Sequence, residues 1–99
     1  MKNLIWYLFV GTRGGETRAL IATALKKRPM NANQLATRLK LDYKTIQHHL
    51  RILADNNILT AINKGRYGAV YFISDDMEKL WKEFSEIWKK FGNKSGKDK

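Results

Sequence analysis

The stretch Met30–Leu59 reads MNANQLATRLKLDYKTIQHHLRILADNNIL and holds two helix patterns only a few residues apart, each with its own start signal. In the first, Asn31 suits an N-cap and Gln34 stands three residues later, the distance of a capping box. Met30 and Leu35 have the spacing of a hydrophobic staple. The second repeats the device with Asp42 as cap and Leu41 facing Ile46. A helix docked so closely on its predecessor must cross it steeply, which predicts a helix-turn-helix over residues 31–56.

The second helix has two unlike faces. Tyr43, Ile46, Leu50, Leu53 and Ala54 recur at one-turn spacing and form an apolar stripe. Lys44, His48, Arg51 and Asp55 fall opposite, with Thr45 and Gln47 at the flanks. Donors, acceptors and positive charge on that outer face can reach base edges and phosphates in a major groove. An ordinary solvated face has the same composition. The rest of the chain decides between them.

The 99 residues carry a formal net charge of +10, unevenly spread. Between residues 17 and 74, ten lysines and arginines face two acids, Asp42 and Asp55, whereas residues 75–92 hold five acids and four lysines. The positive field therefore sits on the helix-turn-helix and the segment just after it, which points to a polyanion and above all to nucleic acid. A lysine-rich surface kept for solubility is the bland alternative. With no cysteine, disulfides, thiolate metal sites and a cysteine nucleophile are excluded. The apolar run Leu4–Val10 is far shorter than the roughly 20 residues a membrane helix needs, and no cleavage site comes after it. A soluble, cytoplasmic protein with one domain over residues 1–92 is expected.

Working outward, residues 3–10 (NLIWYLFV) are apolar on nearly every side and read as a helix, with a buried strand as the competing assignment. Three glycines within residues 11–15 break it. Residues 16–27 read as a helix with Leu20, Ile21, Ala24 and Leu25 on its inner stripe, stopped by Pro29. After Asn56-Asn57, residues 59–62 and 69–73 are strand-like, joined by Asn63-Lys64-Gly65-Arg66-Tyr67-Gly68. This hairpin, residues 59–73, is a candidate wing whose tip residues Lys64, Arg66 and Tyr67 would grip phosphate or enter a minor groove; a solvated turn is the alternative.

Residues 75–91 form the clearest helix, capped by Ser74 or Asp75, with Glu78 completing a box from Asp75. Met77, Leu80, Trp81, Phe84, Ile87, Trp88 and Phe91 share one stripe. Gly92 ends it, and the polar tail 93–99 is expected to be disordered. Each aromatic side chain brings about 150–250 Å² of surface, more than so small a core can cover. A twofold dimer built from both terminal segments accounts for the excess, through Leu4, Ile5, Leu8, Phe9, Leu80, Trp81, Phe84, Ile87, Trp88 and Phe91. Packing of the two segments within one chain is the simpler alternative.

The order helix, helix-turn-helix, wing, amphipathic helix resembles the ArsR-like winged-helix transcription regulators, particularly their small archaeal members. The resemblance covers residues 4–91 and is carried by GGETRALIATALKKRPMNANQLA, LDYKTIQHHLRILADNNIL and the GRYGAVYFIS hairpin. It implies a mainly α fold with a β-hairpin wing, a three-helix core flanked by N- and C-terminal dimerisation helices, and a homodimer on double-stranded DNA. Thr45, Gln47 and His48 occupy positions that usually touch DNA in this family, with Tyr43, Lys44 and Arg51 as neighbouring candidates. Metal-sensing relatives carry cysteines where this chain has Asn31-Ala32-Asn33-Gln34, and others place histidines on the last helix, which has none here. No metal or cofactor is expected. His48 and His49 point about 100° apart on a helix and make a poor chelate; His48 reads as a DNA-facing donor and His49 as structural.

No catalytic constellation is legible: residues 11–15 lack the Lys-Ser/Thr ending of a phosphate loop, and no serine stands near a plausible base. The chain reads as a sequence-specific DNA-binding regulator. A winged helix used as a protein-interaction module and a sequence-independent, chromatin-like DNA binder are the alternatives.

Overall fold

The computed structural model describes residues 2–65 and 68–92, with residues 2, 63–65 and 92 described through their backbone alone. Helix α1 (Lys2–Ile5) runs on as a π-helical turn, Trp6–Val10, closed by the Gly11 N–H donating to the Trp6 carbonyl at 2.7 Å. Then come α2 (Gly15–Lys27), β1 (Met30–Asn31), α3 (Ala32–Leu39), α4 (Tyr43–Asp55), β2 (Leu59–Gly65), β3 (Gly68–Ile73) and α5 (Asp75–Ile87), which also ends in a π-helical turn, Trp88–Gly92. This is a winged helix-turn-helix, mainly helical, with one small antiparallel sheet in the order β1-β3-β2.

Local signals place the helix-turn-helix. The Asn31 side chain accepts from the Gln34 N–H and the Gln34 side chain accepts from the Asn31 N–H, both at 2.8 Å, so the capping box is complete. Asp42 accepts from the Thr45 N–H at 3.1 Å and starts α4. Both helices end alike. Lys40 (φ 59°) and Asn57 (φ 60°) turn left-handed, and the next residue returns its N–H to the carbonyl five back, Leu41 to Ala36 and Ile58 to Leu53. That is the Schellman arrangement, here with lysine and asparagine where glycine is usual. Arg28, held extended before Pro29, ends α2 as expected.

One core serves all the elements. Ile5, Leu8 and Phe9 meet Ile21 and Leu25 of α2, Leu35 of α3, Ile46, Leu50 and Leu53 of α4, Ile58 of the turn after it, Leu59 and Ile73 of the sheet, and Met77 and Phe84 of α5. Phe9 and Phe84 stack tilted with ring centroids 4.7 Å apart, which seats the two ends of the chain against each other.

Several expectations need correction. Of the inner stripe expected for α2, Ile21, Ala24 and Leu25 are buried but Leu20 is 46 % exposed, and the buried face extends to Arg18, Ala19 and Ala22 on the other side. Tyr43, placed on the inner stripe of α4, is 41 % exposed at the first turn, where the core does not reach. Ser74, not Asp75, caps α5, through the Met77 N–H at 3.0 Å. Glu78 forms no box from Asp75; it pairs with Lys26 at 2.6 Å. The loop expected over residues 63–68 is shorter, since β2 runs to Gly65 and Gly65 pairs with Gly68 beyond an irregularity after Ile62. Strand β1 has no counterpart among the expected elements; it pairs Met30 with Tyr71 and Asn31 with Val70.

Candidate nucleic-acid interface

Helix α4 is anchored by three fully buried residues, Ile46, Leu50 and Leu53. With these inside, Tyr43, Lys44, Thr45, Gln47, His48 and Arg51 are all exposed. The structure brings these six candidate contact residues onto one outward surface that begins at a capped N-terminus. That surface has hydroxyl, amide, imidazole, ammonium and guanidinium groups, and its acids, Asp42 and Asp55, sit at the two ends of the helix. Gln47 Nε2 donates to the Tyr43 hydroxyl at 3.1 Å, so one amide is held by its neighbour a turn earlier. A helix so faced suits a major groove about 12 Å wide.

His49 faces the other way. It is buried beside Arg18, whose Nη1 lies 3.1 Å from the His49 Nδ1, and its ring meets that of His48 edge-on at 5.1 Å. Burial, then the charge of Arg18 and then His48, hold its imidazole below the ordinary value. Gly14 (φ 90°) makes room for this pair: a Cβ there would stand 2.8 Å from His49 Cε1 and 3.1 Å from Arg18 Nη1.

Of the wing residues, Arg66 and Tyr67 lie outside the described residues and Lys64 is described only through its backbone; the expected tail 93–99 lies outside as well. The hairpin behind them is in place beside α4. A surface that the sequence pattern did not single out is the outer face of α3, where exposed Asn33, Gln34, Thr37 and Arg38 line a shallow groove of about 420 Å³ with Arg28 and Met30. Their spacing of one, three and four residues could have revealed it. In a helix-turn-helix the first helix crosses the DNA backbone, which suits such a polar, cationic face.

Residues 15–61 match the model of the bacterial regulatory protein, arsR family, from the start of α2 to within β2. This segment is an ArsR-family helix-turn-helix. Its class is that of DNA-binding transcription regulators. Two structures of HlyU from Vibrio cholerae N16961 share the fold. One has 16 % sequence identity and a TM-score of 0.67, covering 88 % of this chain and 91 % of that one. The other, the reduced form, has 15 % identity and a TM-score of 0.66, covering 89 % and 86 %. No curated protein matches the chain in sequence.

Around the ArsR-type core, the terminal helices divide the ten residues assigned to a dimer interface. Ile5, Leu8, Phe9 and Phe84 are at most 2 % exposed within a single chain, so they pack intramolecularly and leave no surface for a partner. Leu4, Leu80, Trp81, Ile87 and Trp88 are half-buried and Phe91 is 43 % exposed. Trp6 stacks on Phe91 with centroids 4.9 Å apart, at the edge of an open groove of about 940 Å³ rimmed by Lys79, Lys82, Lys89 and Lys90. Among the described residues, no helix is long and apolar enough to cross a membrane, and no group of three His, Cys, Asp or Glu is placed to hold a metal ion.

Proposed function

We propose that the protein is a homodimeric, sequence-specific regulator that sets α4 into the major groove of duplex DNA and lays the wing on the flank. The observation that carries this reading is the division of α4: its anchors Ile46, Leu50 and Leu53 are buried in the core, while Tyr43, Lys44, Thr45, Gln47, His48 and Arg51 stand exposed together. Lys44 and Arg51 supply salt-dependent attraction to phosphate, and Gln47 and His48 supply donors and acceptors for base edges. In a twofold dimer the two α4 helices would enter successive major grooves about 34–36 Å apart. The half-covered stripe of Leu80, Trp81, Ile87, Trp88 and Phe91, continued by Leu4, is the surface offered to the second copy.

Selection of bound duplexes from a random pool tests the reading. A pseudo-palindromic motif should emerge, and replacing Gln47 and His48 with alanine should weaken that site by about tenfold or more while leaving random duplex nearly unaffected. Equal losses on both would remove base reading by these residues. The exposed aromatic end of α5 also favours a second reading, docking of a different protein partner. A stable dimer in sedimentation supports the first; a monomer supports the second.

A further inference from the structure

Arg18 is a buried cation in the second turn of α2, 4 % exposed, and it joins three parts of the chain. Its Nε donates to the Leu8 carbonyl at 2.8 Å, in the π-helical turn of the N-terminal segment. Its Nη2 donates to Thr12 Oγ1 at 2.7 Å and to the Arg13 carbonyl at 3.3 Å, in the glycine loop, and the Thr12 hydroxyl donates onward to the Tyr7 carbonyl at 2.7 Å. Its Nη1 reaches His49 Nδ1 on α4. None of these acceptors is a carboxylate. Burial lowers the guanidinium from its ordinary value, a shift opposed by Tyr7, yet an arginine stays charged at neutral pH.

The chemistry of the contact fixes the state of His49. A guanidinium has only donors, so Nδ1 must present its lone pair and the ring proton must sit on Nε2. A second proton on Nδ1 would set N–H against N–H and put two cations into one buried site. His49 is flanked in sequence by His48, on the exposed face of α4, and by Leu50, an anchor of the same helix. The groups facing His49 are Arg18 from α2 and His48 from its own helix; Gly14 brings only backbone, and Arg13 brings its carbonyl to Arg18.

We propose that Arg18 is a positioning residue for DNA reading, holding α4 against the N-terminal segment through neutral His49, and that protonation of His49 releases this hold and weakens specific DNA binding. The proposal rests on the DNA-reading function above. It makes α4 and the segment Leu8–Arg13 one mechanical unit above the midpoint of His49 and two separate ones below it. His48 is a second imidazole, on the exposed face of the same helix, so the two histidines must be separated experimentally.

Two measurements do so. In the free protein, imidazole nitrogen and backbone amide spectra are tracked from pH 7.5 to 5. His49 should be the Nε2–H form at pH 7.5, and the amides of residues 8–13 and 43–55 should shift together at its midpoint. A proton on Nδ1 at pH 7.5, or unrelated midpoints in the two segments, would overturn the proposal without any variant. Binding to a selected duplex is then compared between the wild type and His49→Asn at constant salt. Asparagine places Oδ1 where Nδ1 was, accepts from Arg18 and does not titrate. Both proteins keep His48, so the ratio of their dissociation constants isolates His49. That ratio should be flat above pH 7 and rise by up to about tenfold per pH unit below the His49 midpoint. A ratio that stays flat through the His49 midpoint found in the spectra overturns the proposal. If the wild type binds no duplex even at pH 7.5, the DNA reading itself fails, while the spectra still decide whether the Arg18–His49 tie exists.

Discussion

Helices α4 and α5 begin as the same object and end as different ones. Each has thirteen residues, an oxygen cap and a one-sided apolar stripe. In α4 the anchors Ile46, Leu50 and Leu53 vanish into the core. In α5 only Met77 and Phe84 do so, while Leu80, Trp81, Ile87 and Trp88 stay half-covered and Phe91 is exposed. The first helix is finished within its own chain, so its outward polar side is free for another molecule. The second is unfinished, and what it lacks is apolar cover.

The strongest way to break that contrast is a pair of truncations within α5. Phe84→Ala removes a ring packed against Phe9, Trp81 and Trp88 and should cost about 3–5 kcal/mol in urea unfolding. Trp88→Ala should cost clearly less in a dilute monomer but shift sedimentation from dimer toward monomer. Similar losses from both, with no change of association, would show α5 to be as finished as α4.

The caps sharpen the contrast at smaller scale. Ser74 is buried and works twice, accepting from the Met77 N–H and donating to the Asn57 carbonyl at 2.7 Å. Asp42 is exposed and accepts from the Thr45 N–H. Ser74→Ala should therefore lower stability by about 2 kcal/mol and Asp42→Ala by about 1 kcal/mol, read from thermal melts of the two variants. The opposite ranking would mean that the start of α5 does not depend on its link to Asn57.

The mildest effect belongs to acid and to α4. His49 in the folded chain lies below its ordinary value of 6.5, so the unfolded chain binds the proton more readily. Its contribution to stability is present in full above pH 6.5 and is lost as the pH falls from there toward the folded midpoint. Chemical denaturation at pH 7.5 and 5.5 should show a drop that shrinks in His49→Asn. An unchanged drop in that variant would assign the acid sensitivity to other groups.

The features legible in the sequence are those that depend on neighbours within one helical turn. Asn31 with Gln34, and Asp42 with Thr45, declare their helix starts because donor and acceptor are three residues apart. The six outward residues of α4 can be grouped for the same reason. The role of Arg18 is hidden, since its partners lie at 8, 12, 13 and 49, and a lone arginine in an Ala-rich helix reads as solvated. With Arg18 taken as solvated, the inner stripe of α2 is drawn through Leu20 beside the buried Ile21, Ala24 and Leu25, instead of through Arg18. Glu78 is misassigned because a capping-box spacing is cheap in sequence, whereas its partner Lys26 is 52 residues away. Strand β1 escapes because two residues have no periodicity of their own; only Val70 and Tyr71 make them a strand.

That small strand has a mechanical consequence. Asn31 is at once the residue that caps α3 and a rung of the sheet that carries the hairpin. The middle of the hairpin is thereby bolted to the start of the helix pair, so that it does not hang from its own two ends alone. Under the proposed DNA reading, a body braced this way would meet a double helix with a preset span between α4 and the hairpin. The duplex would then do the bending, and sites that bend at low cost would gain an advantage that no side-chain contact explains.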